Sequence, residues 1–337
     1  MASSTPLTTL EPGVHALTDG PRTTQSMKDD VIQGLSQTPK QIPSKYLYDE
    51  RGSSLFDDIC SLEAYYPTRT EVQILDTHAN EMAVETGAHA ALVEYGSGTS
   101  QKTHRLLKAL HTPAAYVPID IAREHLQAAS ERIADAFPEL PVFPVWADYT
   151  ATVPMPVPSE ACARAVAFYP GSTIGNFLPE HAVAFLQKVR TQVGPDGGLL
   201  IGADLKKDPD RLRRAYDDPE GVTAAFNENL LVRLNRELSA TFDVGAFAHE
   251  ARWNSARARI EMHLVSQVNQ KAEVAGQAFA FEAGESICTE YSHKYTLEGF
   301  SALLARANWE IQTTWTDPND LFSVHYAEPA AANASNS

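Results

Sequence analysis

Residues 90–99 have the sequence AALVEYGSGT, an apolar run that ends in Gly-x-Gly. The run predicts a short buried strand, and Leu106, Leu107 and Leu110 predict a helix after it with one apolar face. A loop of this kind lets the backbone approach a ligand closely, and the start of the following helix favours negative charge. We therefore expect a ligand-binding turn of an α/β domain at this point.

The same arrangement of strand and helix recurs along the chain. We predict five strand-then-helix units, whose strands lie at 90–95, 115–119, 142–146, 165–169 and 198–203. Helices are expected at 122–137 and 179–193, and two closing strands at 309–311 and 321–324. Apolar strands that alternate with helices are typical of a buried, mostly parallel sheet with helices on both faces. The predicted fold class is therefore α/β, with a doubly wound sheet.

Two regions interrupt this alternation. Residues 27–87 precede the first strand, and residues 206–260 are predicted to be mainly helical. We expect an auxiliary domain over the carboxyl ends of the strands, which is where such sheets bind ligands. The predicted parts are a flexible tail at 1–26, a sheet domain from 88–205 and 289–326, an auxiliary domain from 27–87 and 206–288, and a flexible tail at 327–337.

Composition disfavours several classes of partner. The 337 residues include 27 Lys and Arg against 43 Asp and Glu, which gives a net charge of −16. Because such a surface repels phosphate and anionic lipid, we expect neither nucleic acid nor membrane as a partner. The three cysteines lack CxxC spacing and the 11 histidines lack HxxxH spacing, so we assign no disulfide framework and no metal. Since the sequence shows no secretion signal and no apolar span, we expect a cytoplasmic monomer.

Carboxylates follow two of the predicted strands. Asp120 ends the second strand and Asp148 follows the third, whereas Gln101 stands where a dinucleotide fingerprint would have its third glycine. Asp120 is placed to accept both hydroxyls of a ribose, and Asp148 to accept from an adenine amino group. A shortened glycine loop with two carboxylates favours an adenosine ligand without diphosphate, namely S-adenosylmethionine. The alternative interpretation is that both aspartates cap helices.

Further side chains suit a small amino-acid ligand. Asn176 follows the fourth strand, and its amide oxygen can accept from an amine, although it can instead cap the next helix. Glu290 and Ser292 share a face if their segment is extended, so both can hydrogen-bond one heterocycle. The tyrosine-rich segments 45–53 and 63–71 lie outside the sheet, where aromatic clusters usually form a core.

Six blocks of sequence together resemble the histidine-specific Nα-methyltransferases of ergothioneine biosynthesis. They appear in the order of that family, and they are 48–53, 65–71, 96–103, 170–176, 216–227 and 290–295. A chance match to all six is implausible. The resemblance implies a class I methyltransferase-like fold, in which 88–205 and 289–326 form a Rossmann-like domain that binds S-adenosylmethionine and the auxiliary domain binds the substrate.

The resemblance also implies roles for particular residues. The cofactor site that it implies consists of Gly96, Ser97, Gly98, Thr99, Lys102, Asp120 and Asp148. The substrate site that it implies consists of Phe56, Tyr65, Gly171, Asn176, Tyr216, Met262, Glu290 and Ser292. In that site Glu290 and Ser292 hydrogen-bond the imidazole, and Met262 lines the ring pocket. Asn176 and Tyr48 are the implied catalytic residues, because both lie at the amine.

The implied activity is the trimethylation of the α-amine of L-histidine to hercynine, the first step of ergothioneine biosynthesis. Transfer of a methyl group to nitrogen needs no covalent nucleophile, only a neutral amine held in line. The amine must lose a proton before each transfer, and we identify no strong base for this step. Loss of the proton through water near Tyr48 and Asn176 and loss of the proton in solution are equal alternatives. Rival functions are methylation of another aromatic amino acid such as tryptophan, a nicotinamide-dependent oxidoreductase and a non-catalytic binding protein. Glu290 and Met262 favour histidine, and the missing third glycine disfavours nicotinamide.

Overall fold

The computed structural model describes residues 7–20 and 27–331. Its helices are α1 (Met27–Leu35), α2 (Glu50–Ser61), α3 (Tyr66–Thr86), α4 (Gln101–Ala109), α5 (Arg123–Ala136), α6 (Pro179–Val193), α7 (Pro209–Tyr216), α8 (Val222–Leu238) and α9 (Leu297–Arg306). Its strands are β1 (Gly13–Val14), β2 (Thr18–Asp19), β3 (Lys40–Gln41), β4 (Ala90–Tyr95), β5 (Ala115–Asp120), β6 (Pro141–Val142), β7 (Val145–Trp146), β8 (Arg164–Tyr169), β9 (Gly198–Asp204), β10 (Phe247–Asn254), β11 (Arg259–Ser266), β12 (Gln270–Val274), β13 (Gln277–Phe281), β14 (Ser286–His293), β15 (Trp309–Thr316) and β16 (Phe322–Pro329).

The main sheet has the predicted doubly wound form. Its strand order is β1-β6-β5-β4-β8-β9-β16-β15, and β7 pairs with both β5 and β2. The central strands β5, β4, β8 and β9 are parallel, while β16 and β15 add antiparallel strands at one edge. The prediction of a mostly parallel α/β sheet with two closing strands is confirmed. Because the central strands run in one direction, their carboxyl ends meet at one edge, where the glycine loop lies.

The third predicted strand is wrong as a continuous element. It is divided into β6 and β7, because Pro144 lies between them and has no backbone N–H to donate to a sheet. The helix expected after it is also absent. Between β7 and β8 the described chain contains a single short 3-10 turn, Ser159–Ala161, in a segment that is rich in proline. The prediction of five strand-then-helix units therefore fails at the third unit.

The flexible tail predicted for 1–26 is wrong for part of its length. Strand β1 pairs with β6 and strand β2 pairs with β7, both in parallel. The His15 N–H donates to the Val142 carbonyl oxygen at 2.8 Å, and the His15 ring stacks on Phe143 at 3.9 Å. These short strands satisfy the open edge of β6 and β7, which local sequence patterns do not reveal. Residues 1–6 and 21–26 lie outside the described residues.

The C-terminal tail predicted for 327–337 begins too early in the chain, because its first residues belong to a strand. Strand β16 continues to Pro329, and Ala327 pairs with Leu199 of β9. The run from Phe322 to Ala327 is buried on both faces, so the sheet rather than composition decides where the strand ends. Residues 332–337 lie outside the described residues.

A second sheet, with strand order β10-β11-β14-β3, forms the auxiliary part of the molecule. Helix α8 packs on it, and residues such as Leu230 and Leu264 share a core with it. Two predicted details differ. Residues 247–254 form β10 rather than a helix, and the domain boundary expected at 288/289 falls inside β14. Strand β14 continues to His293 because this residue pairs with Arg259, the first residue of β11.

Helix α3 belongs with the main sheet, although the sequence placed it in the auxiliary domain. Its residues Ile74 and Leu75 pack in one core cluster with Leu92 and Phe168 of the main sheet. The aromatic segment before α3 packs on the other core, with Tyr65 and Tyr66 next to Leu212. The chain therefore crosses between the two parts at residue 66. No helix in the described ranges combines the length and apolar character that a membrane crossing requires.

Candidate active site

A cavity of about 690 Å³ lies between the carboxyl edge of the main sheet and strand β14. Its volume is in the range of sites that hold small ligands. Most of the predicted site residues line it, namely Tyr48, Phe56, Tyr65, Gly96, Gly98, Asp120, Asp148, Gly171, Asn176, Tyr216, Glu290 and Ser292. The predicted residues that do not line it are Ser97, Thr99, Lys102 and Met262. Residues from both predicted domains therefore meet at one cavity.

The glycine loop after β4 forms one wall of the cavity. Gly96 and Gly98 have φ angles of 82° and 45°, a left-handed backbone that favours glycine. The Asp120 carboxylate holds the loop, because Oδ2 accepts from the Ser97 N–H at 3.1 Å and Oδ1 from the Ala122 N–H at 2.9 Å. Burial raises the pKa of Asp120, although these N–H groups oppose that shift. One acceptor site on each oxygen is thus used by backbone, and Asp120 also lines the cavity.

Asp148 lies at the neighbouring wall. Its Oδ1 accepts from the Thr150 N–H at 2.9 Å and from the Thr150 hydroxyl at 2.6 Å. Its Oδ2 lies 3.5 Å from Lys45 Nζ, which also lies 3.1 Å from an oxygen of Asp30. The alternative that Asp148 caps a helix is wrong, because no described helix begins between β7 and β8.

Lys102 is held behind the glycine loop by a carboxylate of α3. Its Nζ lies 2.6 Å from Oε2 of the buried Glu71, which also accepts from the Gly171 N–H at 2.8 Å. Glu71 thus joins the loop after β4 to the loop after β8. Thr99 lies in the same glycine loop but does not line the cavity.

Aromatic rings form the wall between α2 and α8. Tyr48 packs edge-on against Phe56 at 5.5 Å and Phe226 at 5.4 Å between ring centres. Phe56 packs edge-on against Tyr65 at 6.2 Å, and Tyr65 against Tyr216 at 5.9 Å. Burial raises the pKa of Tyr48 and of Tyr65 well above the ordinary value, so both phenols stay neutral. Neutral aromatic faces attract a cation.

The opposite wall is strand β14, from which Glu290 and Ser292 line the cavity together with Cys288, Thr289 and Tyr291. Glu290 Oε2 lies 3.4 Å from Asn176 Nδ2, and Ser292 Oγ lies 2.8 Å from Tyr216 Oη. Burial raises the pKa of Glu290 to about 7, and the charge of Lys294 opposes that shift. The 3-10 turn Thr173–Asn176 approaches β14 closely, because a Cβ at Gly175 would lie 2.8 Å from the His293 carbonyl oxygen. This approach brings Asn176 and Glu290 together.

Met262 lies beside this wall, on the neighbouring strand β11, and does not line the cavity. It pairs with Glu290 across β11 and β14, so the two side chains are neighbours in the sheet. It is 2% exposed and belongs to the core of the auxiliary part. The expectation that Met262 lines the ring pocket is therefore wrong for this cavity, whose lining does not include it.

Comparison with known proteins decides the family. A family model described as histidine-specific methyltransferase, SAM-dependent, matches residues 27–329. The chain belongs to this family. It is 42% identical over 308 residues to the histidine N-alpha-methyltransferase of Mycolicibacterium smegmatis, covering 90% of this chain and 95% of that protein. It is 41% identical over 307 residues to the histidine N-alpha-methyltransferase of Mycobacterium tuberculosis, covering 90% and 94%. The ergothioneine biosynthesis protein 1 of Neurospora crassa is 29% identical over 309 residues, covering 85% and 33%.

Membership of this methyltransferase family confirms the resemblance inferred from the six blocks, and it disfavours an oxidoreductase or a binding protein. The cofactor of the family is S-adenosylmethionine, and the residues of this chain fit it. Ser97 Oγ and Ser100 Oγ are buried beside the glycine loop without a hydrogen-bond partner among the described residues. Such groups are costly to bury unless a ligand completes their hydrogen bonds. Asp120 and Gly96 line the same part of the cavity.

The methyltransferase site also contains residues that the sequence did not single out. Lys294, Asp204 and Tyr66 form a buried hydrogen-bonded cluster next to Tyr216 and Ser292. Glu71 is the partner of Lys102. Tyr66, Glu71 and Lys294 lie inside the blocks that identified the family, and Asp204 ends an apolar strand. Those were the only signals available in the sequence.

Proposed function

We propose that the chain transfers methyl groups from S-adenosylmethionine to the α-amine of L-histidine until hercynine, its Nα,Nα,Nα-trimethyl derivative, is formed. The observation that carries the proposal is that Glu290 and Ser292 line the same cavity as Asn176 and the glycine loop. Membership of the histidine-specific family and the names of the two mycobacterial relatives support it. The name of the Neurospora crassa relative supports a place at the first step of ergothioneine biosynthesis.

The imidazole end of the site is assigned to β14. Glu290 accepts a hydrogen bond from one ring N–H, and Ser292 bonds the other ring nitrogen. A hydrogen bond to a charged group is worth about 1.5–3 kcal/mol, and leaving a buried carboxylate unpaired beside an apolar ring costs a similar amount. Glu290 therefore favours histidine over tryptophan, and Met262 supports Glu290 from the facing strand.

The amine end is assigned to Asn176 and Tyr48. Because Asn176 Nδ2 is directed to Glu290, its amide oxygen is left to accept from the amine of the substrate. Tyr65 and Tyr216 bind the same end of the amino acid, and Phe56 and Gly171 complete the wall. The aromatic rings tolerate the growing positive charge of the methylated amine, which suits three successive transfers.

The cofactor end is assigned to the loop after β4. When bound, S-adenosylmethionine supplies an electrophilic methyl group on a sulfonium. Asp120 accepts from the ribose hydroxyls with the lone pairs that the backbone leaves free, and Asp148 accepts from the adenine amino group. Gly96, Ser97, Gly98 and Thr99 let the backbone approach, and Lys102 binds the carboxylate of the cofactor. The role of the residues of the chain is to orient the amine and exclude water.

The acting unit is proposed to be a cytoplasmic monomer with no nucleic-acid or membrane partner. The net charge of −16 opposes binding to phosphate backbones and anionic lipid.

The test is a product ladder. The purified chain is incubated with methyl-labelled S-adenosylmethionine and one amino acid at a time, namely histidine, tryptophan, tyrosine or phenylalanine, and products are weighed by mass spectrometry. A mass gain of three methyl groups on histidine, with little gain on the others, is expected. Preferred methylation of tryptophan would support the rival function, and no methylation of any amino acid would overturn both.

A further inference from the structure

A buried ammonium group lies directly behind the hydroxyl groups of the substrate site. The Lys294 side chain has no exposed surface, and its Nζ donates to Tyr216 Oη at 2.9 Å and to Ser292 Oγ at 2.8 Å. Its third partner is Asp204 Oδ2, at 2.6 Å. An ammonium has three donors and no acceptor, so these three contacts use all of its hydrogens.

The Asp204 carboxylate fixes Lys294 in this position. It also accepts from Tyr66 Oη at 2.7 Å and from Lys207 Nζ, while its own N–H donates to Ser172 Oγ at 2.9 Å. Burial would raise the pKa of Asp204, but the two ammonium groups outweigh burial and lower it. One carboxylate thus lies between two cations, of which Lys294 is the one that contacts the hydroxyls of the substrate site.

The direction of each hydrogen bond follows from this arrangement. Both hydroxyl oxygens accept from Lys294, and because they lie 2.8 Å apart, one hydroxyl donates to the other. One hydroxyl hydrogen of the pair is left for a ligand. The pair therefore presents a donor to the cavity, beside a fixed positive charge, whereas the carboxylate of Glu290 on the same strand face presents an acceptor.

A neutral imidazole matches these two walls, since it has one N–H donor and one nitrogen acceptor. An imidazolium ion does not, because it has two donors and a charge of the same sign as Lys294. We propose that Lys294, positioned by Asp204, makes the site select neutral histidine side chains, with the ring N–H directed to Glu290 and the bare nitrogen to Ser292. This inference rests on the proposed function.

Other titratable groups near the ring are few. Lys294 is faced by Asp204 from β9, Tyr66 from α3 and Tyr216 from α7, and Lys207 lies beyond Asp204. The charge of Lys294 lowers the pKa of Glu290. The charge of Glu290 in turn raises the pKa values of Tyr48 and Tyr65. The tyrosine pKa values are raised, and burial lowers the pKa of Lys207 to about 8. Glu290 and the histidine ring therefore titrate near neutrality, and Lys207 titrates at slightly higher pH.

The first test uses the unaltered chain saturated with S-adenosylhomocysteine and given L-histidine labelled with ¹⁵N in the ring. At pH 6, nitrogen NMR measures the chemical shifts of the two ring nitrogens in the bound ligand. Two different nitrogens mark a neutral ring, and two similar nitrogens mark imidazolium. Two different nitrogens are expected. Similar nitrogens would overturn the inference while leaving histidine binding intact.

The second test compares the variants K294M and K207M by calorimetric titration with L-histidine in the same complex. In the unaltered chain, protonation of the ring and of Glu290 each lowers affinity by about tenfold per pH unit below the respective pKa. Between pH 8 and pH 5.5 we therefore expect a fall of more than about 100-fold, and a fall about tenfold smaller in K294M, where Glu290 still titrates but protonation of the ring no longer lowers affinity. K207M is the matched control, since Lys207 contacts Asp204 but neither hydroxyl, and it should keep the steep profile.

Affinity for S-adenosylhomocysteine and the melting temperature report whether K294M is folded. Parallel pH profiles in folded K294M and the unaltered chain would overturn the inference. If K294M does not fold, the NMR measurement decides alone. If the unaltered chain neither binds nor methylates histidine, the proposed function fails first, so the two failures are distinguishable.

Discussion

Replacement of Glu290 by glutamine tests the charge in the imidazole site without changing its shape. Glutamine keeps an acceptor oxygen, so E290Q converts a charge-assisted hydrogen bond into a neutral one. Hydrogen bonds to charged groups are worth about 1.5–3 kcal/mol and neutral ones about 0.5–1.5 kcal/mol. The difference of about 1–2 kcal/mol predicts a loss of about five- to thirtyfold in kcat/KM for histidine.

The size of this loss should depend on pH. Because burial raises the pKa of Glu290 to about 7, the carboxylate form dominates at pH 8 and the neutral acid at pH 6. The unaltered chain should therefore lose its advantage over E290Q as the pH falls through 7. Titration of the histidine ring and amine affects both proteins equally and cancels in the ratio of their kcat/KM values.

The assay is steady-state methylation of histidine and of tryptophan from pH 6 to pH 8.5. For tryptophan we expect E290Q to be equal to or better than the unaltered chain, because the amide removes an unpaired buried charge. E282Q, the same substitution at an exposed glutamate, is the matched control and should change neither substrate. A ratio for histidine that stays constant across this pH range, or equal losses on both substrates, would refute the role given to Glu290.

Three further outcomes are expected. N176A should lower kcat for histidine by about tenfold or more with little change in calorimetric affinity for S-adenosylmethionine, and a collapse of that affinity would place Asn176 in the cofactor site. D120N should weaken cofactor affinity by about tenfold, since a charge-assisted contact is lost, and unchanged affinity would contradict the ribose assignment. Burial raises the pKa of Glu94 to about 8, although hydroxyls such as Tyr116 oppose it. The folded chain thus retains a proton that the unfolded chain loses above about pH 4.5, so the free energy of unfolding falls from pH 5 to pH 8. The melting temperature of E94Q should depend less on pH than that of the unaltered chain. Parallel plots of melting temperature against pH would exclude this effect.

The sequence predicted the central part of the fold because local signals there agree with the tertiary structure. Strands β4, β5, β8 and β9 are buried apolar runs, and the mostly parallel α/β class follows from strands that alternate with helices. The short strands β1 and β2 had no such signal. Two residues give no periodicity, and their pairing depends on an open sheet edge formed more than 100 residues later.

The candidate site divides in a similar way. The period of two along an extended segment predicted that Glu290 and Ser292 face one side. The block pattern predicted Asn176 and Tyr48 as site residues, and the end of a strand predicted Asp120, and all three line the cavity. Met262 was predicted in the wall, but the tertiary structure places it beside Glu290 on the neighbouring strand and outside the cavity lining.

What the amino-acid sequence alone determined is therefore the fold class, the family and the residue types that meet the two ligands, since these depend on local periodicity and on short motifs. The tertiary structure decided which groups touch. Lys294 and Asp204 are separated by 89 intervening residues and share no local pattern, yet their charges meet at 2.6 Å in a site without water-exposed surface. Contacts of this kind arise only when distant strands pack, because no short-range periodicity records the position of one strand end relative to another.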